Sequence, residues 1–121
     1  MAEHNIIGNL GEKIASNYLF QRGYEILELQ WRFKHKEVDI IAQKDGVIHI
    51  VEVKTRSSES ETESDHITQN KMQFLIEESE FYMQEKNLSS DLQFDVVVVR
   101  IFDKLTYTVK HIENAFVSDI Q

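Results

Sequence analysis

Cysteine and proline are absent from this 121-residue chain, and glycine occurs only four times. Without cysteine there can be no disulfide staples, thiolate nucleophiles or thiolate zinc sites, and a reducing cytoplasm is the compartment that fits. No glycine falls in a GxGxxG or GxxxxGK arrangement, which removes the common nucleotide cradles. Long hydrophobic runs are missing as well: the longest aliphatic run is Val96 to Val99, far short of a membrane span. The start, MAEHNIIGNL, lacks a basic stretch followed by an apolar one, so no secretory leader is expected. Basic charge is in deficit, with 13 Lys plus Arg against 21 Asp plus Glu and a net charge of −8. A protein that clings to phosphate backbones through its overall field needs the reverse balance.

What is present suits one cytoplasmic domain, residues 1–121, able to bury one core, with 41% hydrophobic residues and no internal repeat or flexible linker. One segment is biased. Residues 57–65, SSESETESD, hold four acids, no base and no large apolar side chain, so burial cannot offset ordering entropy and a mobile acidic loop is expected. Before it, Ile7, Leu10, Ile14 and Tyr18 recur at helical spacing and Gly23 stands at a C-cap position, which predicts a helix over 4–22. Strand-like runs follow at 24–33, 37–43 and 47–54. After the loop, Met72, Leu75, Ile76, Ser79 and Met83 form a second helical stripe ending near Asn87, followed by the strands FDVVVVRIF and LTYTVKHI. Short links make the first three strands an antiparallel meander, and the second helix can return the chain to a parallel fourth strand by a right-handed crossover. The fold class is therefore α/β, a mixed central sheet flanked by helices.

The most informative stretch is KEVDIIAQKDGVIHIVEVKTR, residues 36–56. Asp45-Gly46 is a two-residue hairpin signal, and pairing Lys44 with Val47 places Ala42 opposite His49, Ile41 opposite Ile50 and Ile40 opposite Val51. Apolar residues then match on both faces, as a central, doubly covered hairpin requires. Continued outward, the register sets Val38 against Val53, Asp39 against Glu52 and Glu37 against Lys54. Facing like charges, roughly 5 Å apart at Cβ, are destabilising. Either one carboxyl is protonated or a cation lies between them, and a divalent metal with oxygen ligands suits two convergent carboxylates. Lys54, two residues beyond Glu52, would point into the same place. Two acids that hold magnesium beside an ammonium group is the chemistry that metal-dependent phosphodiester cleavage needs. The plainer alternative is an ion pair between Lys54 and Glu37, with the acids near a solvated strand end.

Asp39, twelve intervening residues and Glu52-Val53-Lys54 resemble the PD-(D/E)XK signature of restriction-endonuclease-like nucleases. A wider set is more specific: GNLGEKIASNYLFQRGYEIL, WRFKHKEVDIIA, IVEVKTRSS, ITQNKMQFL, FDVVVV and HIENAF. Together these resemble the YraN family of small bacterial proteins, described as predicted endonucleases and similar to archaeal Holliday-junction resolvases. The resemblance implies a restriction-endonuclease-like αβββαβ core, with Asp39 and Glu52 as ligands of Mg2+ or Mn2+ and Lys54 as the catalytic lysine. Glu12 would be a further acid supplied by the first helix. It shares a helical face with Gly8, Ala15 and Leu19, and Gly8 and Gly11 leave room for close approach to the sheet. An acid on a packed face needs a partner, for which the metal site is one candidate, and a surface position beside a tightly packed helix is the other. The chain departs from the family pattern at Gln30, Lys36 and Gln93 and in its acidic loop.

Arg32, Lys34, His35 and Lys36, interleaved with Trp31 and Phe33, can contact a nucleic-acid backbone or stack a base; such a cluster is also what an exposed strand end over core aromatics looks like. Arg56 follows the proposed ligands directly, and Lys71 sits in the first turn of the second helix, where an anion is favoured; solvation of a helix end is its alternative. The five histidines form no ligand pair, and His49 reads as a satisfied core residue. The expected function is a magnesium-dependent endonuclease acting on DNA, with branched DNA one candidate substrate. A homodimer would suit a two-fold junction. The alternative is a catalytically inactive nuclease-fold module that binds nucleic acid or a protein partner. The charge divides accordingly: residues 1–21 carry −1, residues 22–56 carry +1 and residues 57–121 carry −8. The half that holds the proposed site is near neutral before any cation binds.

Overall fold

The computed structural model describes residues 2–34, 36–57 and 67–117, with side chains from Asn9 onward. The elements run α1 (Ala2–Gln21), β1 (Glu25–Phe33), β2 (Lys36–Lys44), β3 (Val47–Ser57), α2 (Gln69–Glu85), β4 (Asp91–Asp103) and β5 (Thr106–Phe116). This is the order expected from hydrophobic spacing. The expected acidic loop, apart from Ser57 at the end of β3, lies outside the described residues. Among the described residues no helix is long and apolar enough to cross a membrane.

Local chemistry accounts for the boundaries. Gly23, at φ 94°, closes α1: its N–H donates to the Phe20 carbonyl at 3.1 Å and the Tyr24 N–H to the Leu19 carbonyl at 3.1 Å. That is the Schellman arrangement, which needs a left-handed residue that glycine supplies without a Cβ penalty. Asp45 and Gly46, both at positive φ, make the tight turn between β2 and β3. Thr68 caps α2 by accepting the Lys71 N–H at 3.2 Å.

The five strands form one mixed sheet in the order β1-β2-β3-β4-β5, with β3 and β4 parallel and the other neighbours antiparallel. The β2/β3 register pairs Lys44 with Val47, Ala42 with His49 and Ile40 with Val51, as the turn dictates. α1 covers one face through Ala15, Leu19, Tyr24, Ile40, Ala42, Val51, Val97 and Val99. α2 covers the other over Ile41, Ile48, Ile50, Leu75, Tyr82, Phe94, Val96 and Val98.

The small face of α1 packs, as its glycine, alanine and leucine suggest: Gly11, Ala15 and Leu19 are buried. Ile14 and Tyr18 are partly buried against the same core, and Leu10 is 37% exposed. The helix lies so close to β3 that a Cβ on Gly11 would clash with Thr55 Oγ1. One expectation is corrected, in β2. Val38 packs in the α2-side core, whereas Ile40, Ala42 and Val53 pack on the α1 side, so Val38 and Val53 do not share a face. Regular alternation breaks at Asp39, and the β2/β3 pairing ends at Ile40–Val51.

The close approach makes a prediction. Gly11→Ala should cost about 1–3 kcal/mol, the usual penalty of overpacking, read as a lower urea midpoint. Adding Thr55→Ala should recover much of the loss. An unchanged midpoint in Gly11→Ala would show that α1 does not sit this close to β3.

Candidate functional site

The site lies where the β2/β3 ladder stops. One residue past the last paired position, Asp39 turns its Oδ2 to accept the Val53 backbone N–H at 2.8 Å. A side chain here takes the amide that a neighbouring strand would otherwise use, which opens the sheet while leaving no orphan donor. Two other acids converge on the opening. Glu52 on β3 and Glu12 on α1 both interact with the Asp39 carboxyl.

Asp39 is consequently an acid under strain. Burial raises its pKa first and the Glu52 charge adds to it; the Val53 hydrogen bond and the Lys71 ammonium pull the other way and lose, leaving the value at about 7. Glu12 is raised as well, by burial above all, with the Asp39 and Glu37 charges adding and the Gln30 amide opposing. Gln30 Nε2 donates to Glu12 Oε1 at 2.6 Å, from a backbone held at φ 52°. Beside Glu12 a cavity of about 320 Å³ opens between α1 and β1. Glu52 Oε1 is fully buried with no hydrogen-bond donor among the described residues, and Lys71 Nζ lies 3.6 Å from it.

Lys54 is half-buried, two residues along β3 from Glu52, and makes no ion pair among the described residues. The expected Glu37–Lys54 pairing is not formed. Glu37 lies opposite Arg32 of β1, and Arg32 Nη2 is 2.6 Å from Glu37 Oε2, because β1 rather than β3 is the neighbour of β2 at that level.

The proposed nucleic-acid contacts divide. Lys71 is drawn onto Glu52, inside the acid cluster rather than out at the helix end. Arg32 is committed to Glu37. Arg56 is half-buried, with Nη1 3.5 Å from the Thr55 carbonyl. Lys34 is exposed in the β1–β2 turn with its ammonium 5.2 Å from the centre of the Phe33 ring. His35 lies outside the described residues. Trp31 and Phe33 stack on each other and meet Phe81, Trp31 also reaching Tyr82, so the aromatics of this cluster serve the α2 side of the fold.

Three features were missed. In the sequence Gln30 stands out only as a departure from the family pattern, although it holds Glu12; the two lie eighteen positions apart, and no local pattern links them. Glu78 is buried in α2 where the apolar stripe gave no warning. The third is Asp95, 1% exposed, which accepts from His49 Nδ1 at 2.8 Å, His111 Nε2 at 2.9 Å, Gln93 Nε2 at 3.0 Å and the Asn114 N–H at 3.1 Å. Burial alone would raise its pKa, but these four bonds overcome that and hold it well below the ordinary carboxylate range. A lone acid opening a run of four valines was the available signal. His49 is the satisfied core histidine that the sequence suggested.

The chemistry of the Asp39 site follows from its donors. Among the described residues no set of three or more His, Asp or Glu side chains is arranged to close around an ion. Two convergent carboxylates, one with a buried and unpartnered oxygen, instead offer the partial ligand set that suits magnesium, which takes one or two carboxylates and fills its remaining positions from water and substrate phosphate.

The raised Asp39 pKa fixes a sign. Below about pH 4 folded and unfolded chains both hold the proton and Asp39 costs nothing. Between there and about 7 the unfolded chain has released it and the folded chain has not, so stability falls as pH rises. Asp39→Asn removes that cost and keeps an acceptor for the Val53 N–H. It should stabilise the metal-free protein by about 1–3 kcal/mol at pH 7.5, with little gain at pH 4, in urea titrations. Destabilisation at pH 7.5 would make Asp39 an ordinary ion-pair partner.

Comparison with known proteins agrees with the motifs. Residues 11–99 match the family described as Uncharacterised protein family UPF0102. A UPF0102 protein of Flavobacterium psychrophilum is 38% identical over 117 residues, covering 96% of this chain and 98% of the relative. One from Flavobacterium johnsoniae is 39% identical over 121 residues, with 96% and 98% covered. A UPF0102 protein of Alkaliphilus oremlandii is 39% identical over 114 residues, with 91% and 97% covered. Profile and relatives together span the two helices and all five strands, and the chain belongs to the UPF0102 (YraN) family.

Proposed function

We propose that this protein is a metal-dependent endonuclease that hydrolyses DNA phosphodiester bonds. The observation that carries the reading is the convergence of Asp39 and Glu52 where the β2/β3 pairing stops, with a buried Glu52 oxygen that accepts no hydrogen bond and, two residues further along, a lysine that makes no ion pair among the described residues. The five-stranded mixed sheet between two helices is compatible with the αβββαβ nuclease core.

Asp39 and Glu52 would hold the cation. A bound magnesium or manganese supplies charge neutralisation at a phosphate oxygen and a more acidic water. Lys54 then donates hydrogen bonds to the attacking water and to a non-bridging phosphate oxygen, offering charge where negative charge develops. Lys71 balances Glu52 in the metal-free protein, and its long stem can swing the ammonium to the backbone of a bound strand. Glu12, fixed by Gln30, bounds the site on the α1 side and orients water through a hydrogen bond. The near-neutral charge of residues 22–56 fits an enzyme that engages its substrate by shape and local contacts, with weak, salt-sensitive binding.

Purified protein with magnesium or manganese should nick plasmid DNA or cut a four-way junction, and a chelator should abolish the reaction. Asp39→Asn, Glu52→Gln and Lys54→Met should each lower the rate by about 100-fold or more at unchanged folding. Full activity in Asp39→Asn would refute the assignment. DNA binding that is indifferent both to metal and to Glu52→Gln, without cleavage, would make the fold a binding module instead.

A further inference from the structure

A second cavity, of about 240 Å³, lies between the start of β2 and the outer turns of α2, lined by Phe33, Lys34, Lys36, Phe74, Glu77 and Glu78. Its composition is unusual for a surface dimple. Two aromatic rings and two ammonium groups line it, and Glu78 is 1% exposed, with Oε1 buried and no hydrogen-bond partner among the described residues. A buried carboxyl oxygen without a donor costs free energy that folding alone does not return. Burial accordingly raises the Glu78 pKa to about 7, with Glu77 adding and the Lys34 and Lys71 charges only partly offsetting it.

The cavity is joined to the metal site through one ring. Lys71 Nζ, 3.6 Å from Glu52, is 5.1 Å from the centre of Phe74, and Lys36 Nζ lies 5.0 Å from that same centre. A strand lying across Asp39 and Glu52 therefore reaches the Phe74 ring within one side chain's length. Aromatic walls, a cationic rim and an acceptor on the floor are the complement of one nucleotide: base faces stack on rings, phosphates meet ammonium groups, and N–H groups of the base seek an acceptor. The volume is below the ~300 Å³ at which drug-sized sites begin and suits one planar base.

We infer that this cavity takes a single unpaired base of the bound strand, beside the scissile phosphate, and that Glu78 selects guanine by accepting from its Watson–Crick edge. Guanine is the base that presents two adjacent N–H donors, N1–H and the 2-amino group, on that edge, which matches the two oxygens of a carboxylate. Thymine presents one N–H flanked by acceptors, and adenine and cytosine each set their amino group beside a ring nitrogen that a carboxylate repels. The inference rests on the nucleic-acid reading of the Asp39 site, and makes this enzyme one that requires a flipped or single-stranded nucleotide.

The test uses the full chain carrying Lys54→Met, which leaves both proposed metal ligands in place, so that binding is measured without cleavage. Fluorescence anisotropy would compare oligothymidines containing one central dG, one deoxyinosine, which lacks only the 2-amino group, or thymidine alone. The dG probe should bind about tenfold more tightly than the other two, as one lost base contact of this kind implies. Adding Glu78→Gln should erase the difference, and Phe74→Leu should weaken all three probes alike. Equal affinity for the three probes overturns the guanine pocket while leaving the cleavage assay to judge the nuclease reading. Absence of binding to every probe also overturns it, and junction cleavage by the unmodified chain again reports separately on the metal site.

Discussion

The structure turns on one amide. Where β2 and β3 part company, the Val53 N–H is taken by the Asp39 carboxylate at 2.8 Å instead of by a neighbouring strand. The sheet can then open without stranding a donor, and Glu12 from the α1 side and Glu52 from β3 can both reach Asp39. The same break moves Val38 to the α2-side core while Ile40 and Ala42 remain on the α1 side. Fold and candidate site are therefore not separable: the interruption that costs a stretch of ladder is what assembles the acids.

Two aspartates in one sheet show how differently the fold treats its acids. Asp95 receives four hydrogen bonds, two of them from histidines, and its negative charge is stabilised well beyond its ordinary value. Asp39 receives one and faces another acid, so its charge is disfavoured. Asp95 is buried and Asp39 partly so, and the balance of donors against neighbouring negative charge decides the sign. Asp95 is complete within the protein and acts as a polar tie between β3, β4 and β5. Asp39 is incomplete, and what it lacks is positive charge. Incomplete satisfaction beside a second acid is what supports the proposal of a cation there.

Much of this was legible in residue order. The Asp45-Gly46 turn set the hairpin register as far as Ile40–Val51, and hydrophobic spacing placed both helices and all five strands. The reading failed where a local rule was extended past a break it could not see. Counting outward from the turn put Glu37 against Lys54, but the strands separate before that point and Glu37 pairs with Arg32 across the other edge of β2. Gln30, Lys71 and Glu78 owe their roles to contacts across the fold, and side-chain type alone did not distinguish them from solvated polar residues.

The central claim is that Asp39 and Glu52 form a frustrated acid pair that a divalent cation relieves. The most direct measurement is an NMR titration of the Asp39 side-chain carboxyl carbon, with and without magnesium. The account predicts a midpoint close to neutrality in the metal-free protein, near the value of about 7 that burial and Glu52 impose, and a clear downward shift when magnesium is added. A midpoint in the ordinary carboxylate range of about 4, unmoved by magnesium, would contradict it.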